Sequence, residues 1–101
     1  MTPENVGVTR VQTGVRLEAR MLNVLKALAA LKGMTLGDLI EGIVLHAFEG
    51  EGAFSDETLA QIRDLKKVYG LKLRASDSHL LVETSAARAG APATRGKRKK
   101  P

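Results

Sequence analysis

Apolar and polar positions first alternate along this chain and then fall into helical spacing. Around Gln12 to Leu17, Val11, Thr13, Val15 and Leu17 fall on one side, and Arg10, Gln12, Gly14 and Arg16 on the other. That period of two predicts a short half-buried strand with Val15 and Leu17 turned to a core. Met21, Leu22, Val24, Leu25, Leu28, Ala29 and Leu31 then recur at helical spacing, with Arg20, Asn23 and Lys26 on the exposed side. Gly33 stops this first helix where a chain commonly turns left-handed. Thr35, with Asp38 three residues on, is a capping-box-like start for a second helix. Its apolar positions are Leu36, Leu39, Ile40, Ile43, Val44, Ala47 and Phe48. A third helix is expected over about residues 55–69. Ser55-Asp56-Glu57 places acids in its first turn, where the helix dipole favours them. Leu59, Ile62, Leu65 and Tyr69 form its modest stripe up to Gly70.

One strand and two helices within residues 10–50 pose a packing problem. A lone strand leaves its backbone groups unpaired, and two short helices cannot enclose so wide an apolar face. A second copy of the chain is the simplest remedy, with two strands pairing antiparallel above four helices. The run T-G-V-R-L-E at 13–18, the Gly33-Met34-Thr35 turn and L-x-x-L-I-x-x-I-V from Leu36 resemble the Arc/CopG-like ribbon-helix-helix family. The resemblance covers residues 10–50, under half of the chain. It implies a mainly α fold with one short strand, an intertwined homodimer in which a two-stranded antiparallel ribbon lies over four helices. The helix over about 55–69 is then an extra C-terminal helix.

The resemblance also implies a DNA site. Gln12, Gly14 and Arg16 would face outward and read bases from the ribbon. Arg grips guanine, and Gln adenine, through paired hydrogen bonds in the major groove. Gly14 departs from the pattern, since it offers no side chain; it allows a close backbone approach or marks a bulge. Helix N-termini bind anions through their unpaired amides, and the family's second helix clamps a DNA phosphate there. The matching positions are Met34, Thr35 and Leu36, with Arg10 a further phosphate contact from the end of the arm. Asp38 works against a phosphate at that end. An unliganded polar strand face and a plain capped helix would account for the same residues.

Charge divides the chain further. Residues 1–54 carry five Lys/Arg against six Asp/Glu, residues 55–85 five against five, and residues 86–101 six against none. The whole excess of +5 therefore sits at the C-terminal end, and the folding part is not basic. The expected organisation is a mobile arm over 1–9, the ribbon-helix-helix domain over 10–50, a C-terminal extension over 53–85 and a disordered basic tail over 86–101. In the tail, Lys97, Arg98, Lys99 and Lys100 would hold phosphates without selecting sequence. Whether residues 71–85 fold is open. Gly37 and Gly42 lie off the main stripe of the second helix, as a close crossing against a partner helix or simple composition would leave them.

No catalytic constellation is legible: no Gly-rich phosphate loop, no H-E-x-x-H and no supported Ser-His-Asp spacing. The chain has no Cys, which excludes disulfides and thiolate chemistry. His46 and His79 lie in different segments without metal-spaced partners, so neither a metal nor a cofactor is expected. No run approaches the roughly 18 apolar residues of a membrane span, and no membrane partner is expected. The reading is a sequence-specific DNA-binding protein, a transcriptional repressor, acting on double-stranded DNA as a homodimer or a higher assembly on DNA. It would be cytoplasmic and associated with the nucleoid. Two alternatives stand beside it: an antitoxin whose residues 55–85 bind a toxin protein, and a dimerisation or scaffold module that does not bind DNA. On the DNA reading, removing residues 86–101 should weaken binding at every sequence while leaving the preferred sequence unchanged. Fluorescence anisotropy on several duplexes checks this; a changed preference would make the tail a base reader.

Overall fold

Helix α1 runs from Ala19 to Lys32, α2 from Leu36 to Phe48 and α3 from Asp56 to Tyr69, and a 3₁₀ turn follows at Ala75–Asp77. The computed structural model describes residues 5–84. Each helix begins and ends on a local signal. Glu18 caps α1, its carboxylate accepting from the Met21 amide at 2.8 Å. Thr35 caps α2 by accepting from the Asp38 amide at 3.0 Å, and Ser55 caps α3 through the Thr58 amide at 3.2 Å. Gly33 and Gly70 end α1 and α3 with φ of 71° and 68°. That left-handed region costs a glycine little and any residue with a Cβ considerably more.

The core lies where α1 meets the other two helices. Leu28, Ala29 and Leu39 are buried together, with Leu25, Ile43, Phe54, Ile62 and Leu65 packed around them. Leu28 is the most enclosed of these, at 1% exposure. Helix α1 is the shared element: it packs against both α2 and α3. Thr58, the one buried polar residue among those described, accepts a bond from the Ser55 hydroxyl at 3.2 Å.

This architecture overturns the ribbon-helix-helix expectation. Among the described residues there is no strand, and the chain up to Glu18 has no regular secondary structure. Val11 and Val15, expected on a buried strand face, are 80% and 75% exposed, and Leu17 is exposed as well. The physical reason lies in α3. The expectation held that two short helices could not cover the α1 face without a second chain; Ile62 and Leu65 of α3 cover it instead. With that face closed inside one chain, Val15 has no apolar layer to lie on, and a single extended segment has no ladder of its own. Helix α1 departs from its expected stripe at Leu31, which is exposed, and α2 departs over Val44, Ala47 and Phe48, also exposed.

Residues 72–84 belong to a unit separate from the one that holds the three helices. The 3₁₀ turn is held by the Asp77 carboxylate, which accepts from the Arg74 amide at 2.8 Å. His79 follows in the left-handed region, at φ 69°. No strand forms over Leu71–Leu73 or Leu80–Val82.

Because Leu28 closes the contact among all three helices, Leu28→Ala should cost about 2–5 kcal/mol of folding stability. Val15→Ala, on the exposed segment, should change it by less than about 0.5 kcal/mol. Urea titrations followed by circular dichroism distinguish the two; a large loss at Val15 would mean that the segment is packed.

Candidate functional site

The N-terminal segment is exposed along its length and tied down at both ends. At one end the Arg10 guanidinium grips the Glu41 carboxylate with two bonds of 2.8 Å, Nε to Oε2 and Nη2 to Oε1. This paired geometry matches a planar fork to a planar acceptor. It raises Arg10 further above its ordinary value, through the hydrogen bond to Glu41 first and its charge second. Glu41 is held below the usual carboxylate range, chiefly by the hydrogen bond from Arg10. At the other end Glu18 caps α1 and also accepts from Arg20 Nε at 3.2 Å. Partial burial pushes the Glu18 carboxyl up, but the amides of Met21 and Arg20 and the Arg20 guanidinium outweigh it and hold the group low. Arg20 Nη1 in turn donates to the Gly70 carbonyl at 3.4 Å, joining the start of α1 to the end of α3.

Between these anchors lie residues 11–17, all exposed. Gln12 and Arg16, the expected base readers, are therefore accessible, although no paired ribbon carries them. Gly14 stands between them with no atom within 4 Å of where a Cβ would sit. The backbone there is open to close approach.

The expected phosphate contacts are placed less evenly. Arg10 is occupied by Glu41, and Asp38 lies near enough to reinforce its charge. A phosphate would have to compete with both acids. The Met34 amide donates to the Ala29 carbonyl at 2.9 Å and so completes the end of α1. The Thr35 oxygen already accepts from Asp38, which leaves its hydroxyl hydrogen for a further acceptor. Leu36 opens α2, where an amide has no acceptor inside the helix, and Gly37 shares that position. Lys97, Arg98, Lys99 and Lys100 lie outside the described residues. The Arg10–Glu41 pair has no sequence signal, since its members stand 31 residues apart. The role of Glu18 had one: an acid directly before the first helical turn.

A cleft of about 450 Å³ opens between α2 and the residues leading into α3. Leu28, Leu39, Ile43 and Phe54 floor it, and Lys32, Asp38 and His46 stand at its rim. His46 Nδ1 lies 2.8 Å from the Gly42 carbonyl and donates to it. That bond secures the ring against its own helix. Among the described residues no group of acids and histidines could hold a metal ion, and no helix is long and apolar enough to cross a membrane. No family model, no curated protein and no solved structure matches the chain.

The anchoring of the segment should depend on pH with a definite sign. Glu41 has a lowered folded pKa, so its contribution is fully present above the ordinary glutamate value and fades as pH falls through the lowered one. Glu18 acts in the same direction. Carboxyl-carbon NMR should place the Glu41 midpoint below that of a free glutamate, and Arg10→Ala should return it upward. An unchanged midpoint in that variant would mean that the pair does not form in solution.

Proposed function

We propose that the protein is a sequence-specific DNA-binding regulator, acting as a repressor of transcription. The observation that carries this reading is the exposed span 11–17, fixed at one end by Arg10–Glu41 and at the other by the Glu18 cap. A span held at both ends loses less freedom on binding than a loose arm, so more of each contact appears as affinity. It carries Gln12 and Arg16, whose side chains match adenine and guanine edges with two bonds each. Gly14 lets the backbone between them come close to a groove wall. The open start of α2, at Leu36 and Gly37, supplies a phosphate anchor of fixed direction. Non-specific attraction comes from the basic C-terminal residues, because the first 54 residues carry one more acid than base. Affinity and selectivity thus reside in different parts of the chain.

Residues 72–84 support a second role beside this one. Leu80, Leu81 and Val82 form a run of three exposed apolar residues after the left-handed His79. Such a run suits a protein partner, as an antitoxin's segment would, and co-purification with the product of an adjacent gene tests it.

A footprint on DNA upstream of the chain's own gene tests the main reading. Arg16→Ala should cost about 1–3 kcal/mol of discrimination at one base position per bound copy, with helix content unchanged. Gln12→Ala should relax a neighbouring position. Identical sequence preference in both variants and the parent would remove the segment as the reader. Absence of any salt-dependent DNA binding would leave an assembly module without nucleic acid.

A further inference from the structure

The cleft between α2 and the approach to α3 has no part in the DNA reading. Its volume of about 450 Å³ falls within the range of roughly 300–1,000 Å³ in which proteins hold small molecules. Leu28, Leu39, Ile43 and Phe54 give it an apolar floor. Its polar groups divide between two walls. The wall made by the end of α1 and the start of α3 offers hydrogen-bond donors. Lys32 stands in the last turn of α1, and its ammonium makes no ion pair or hydrogen bond among the described residues. Thr58 stands in the first turn of α3 and is only 7% exposed. The Ser55 hydroxyl donates to Thr58 Oγ1 at 3.2 Å, while Ser55 Oγ accepts from the Thr58 amide. A hydroxyl donates as well as accepts, so the Thr58 hydrogen is left without an acceptor among the described residues. A buried donor in that condition is uncommon, and this one borders the cleft. Asp56 and Glu57, the acids of the same turn, do not line it.

The α2 wall offers acceptors. Asp38, Gly42 and His46 follow one another along it at single-turn spacing. The Asp38 carboxylate makes no hydrogen bond or ion pair among the described residues, and Arg10, the cation whose charge it feels, is gripped by Glu41. His46 Nδ1 donates its hydrogen to the Gly42 carbonyl, which leaves Nε2 of the uncharged ring as an acceptor. Gly42 sets no side chain in the wall between these two groups, so both remain reachable from the floor.

We propose that the cleft binds a free apolar amino acid. An aliphatic or aromatic side chain lies on the floor, the carboxylate turns toward Lys32 and Thr58, and the ammonium turns toward Asp38 and His46. A zwitterion answers both walls at once. A fatty carboxylate would leave Asp38 facing another anion, and an alkyl amine would leave Lys32 and Thr58 without an acceptor. A peptide segment loses both charges to its amide bonds and answers neither wall. Hydrogen bonds in which one group is charged are roughly twice as strong as neutral ones, so the two charged ends carry the selectivity and the floor carries the bulk. Because the lining comes from all three helices, a ligand held there also stabilises the fold by mass action.

The proposal does not rest on the DNA reading, and its test uses the full chain without nucleic acid. Leucine and phenylalanine are the probes, followed by amide NMR. At millimolar concentration at least one of them should shift the Gly42 and Thr58 amides and raise the unfolding temperature. Leucinamide lacks the carboxylate and N-acetyl-leucine lacks the ammonium; each should bind about tenfold more weakly than leucine, the loss expected for one hydrogen-bonded charge. Two variants at exposed positions assign the walls. Lys32→Gln should bind leucine no better than leucinamide, and Asp38→Asn should bind it no better than N-acetyl-leucine. Gly42→Leu should abolish the shift at Thr58 with helix content retained, because leucine obstructs the wall and favours the helix. Amides that respond to neither amino acid would overturn the proposal. So would analogues that bind as well as leucine, or leucine binding that survives both charge variants undiminished.

Discussion

Leu28 is the contact on which the fold depends. It projects from the middle of α1 to where α2 arrives through Leu39 and Ile43, and where Phe54 closes the approach to α3. Helix α1 touches both neighbours. Its burial therefore stabilises two helix pairings at once. With no tryptophan and two phenylalanines in the whole chain, there is little other bulk to share that role. The core that results is small, and it leaves many large apolar side chains exposed among the described residues.

The helix boundaries were legible because they are local. Gly33, Thr35, Ser55 and Gly70 act within a turn of their own backbone, and each acts as its type dictates. The strand was not legible, because a strand is a claim about a partner. The alternation of Val11, Val15 and Leu17 is compatible with a pleated face, but nothing in a period of two specifies what covers that face. Helix α3 changed the outcome by supplying Ile62 and Leu65 to α1. Its weak stripe, read as an addition, belongs to the core. In the candidate site, Gln12 and Arg16 are exposed, but so are Val11 and Val15, and the expected division into an inner and an outer face does not hold. The engagement of Arg10 by Glu41 was not legible, since the fold alone brings them together.

That ion pair links several levels of the structure. Both partners are solvent-exposed, so screening limits its weight in stability. Its consequence is positional: it converts a free arm into a span with two fixed ends and sets that span beside α2. It also offsets the Glu41 charge on α2. A charge pair of this kind contributes through what it orders and what it neutralises, more than through its own energy.

The acids around the start of α2 bear on how the proposed DNA contact would discriminate. Asp38 and Glu41 lie within two turns of Leu36 and Gly37, whose amides would meet a phosphate. With Glu41 paired to Arg10, Asp38 is the acid that would oppose a phosphate there on the proposed reading. Such opposition lowers affinity for all DNA by a similar amount, whereas the base contacts restore it only at a matching sequence. The ratio between specific and non-specific binding is then set by the base contacts alone, because a penalty common to both leaves it unchanged. With the first 54 residues slightly acidic and the excess of basic charge gathered beyond Ala86, general attraction to DNA would, on the proposed reading, come from a part of the chain distinct from the base-reading span. On the proposed reading, a folded unit with little attraction of its own for DNA, joined to a basic segment that would hold DNA nearby, would reach its site by selection at the span between Arg10 and Glu18.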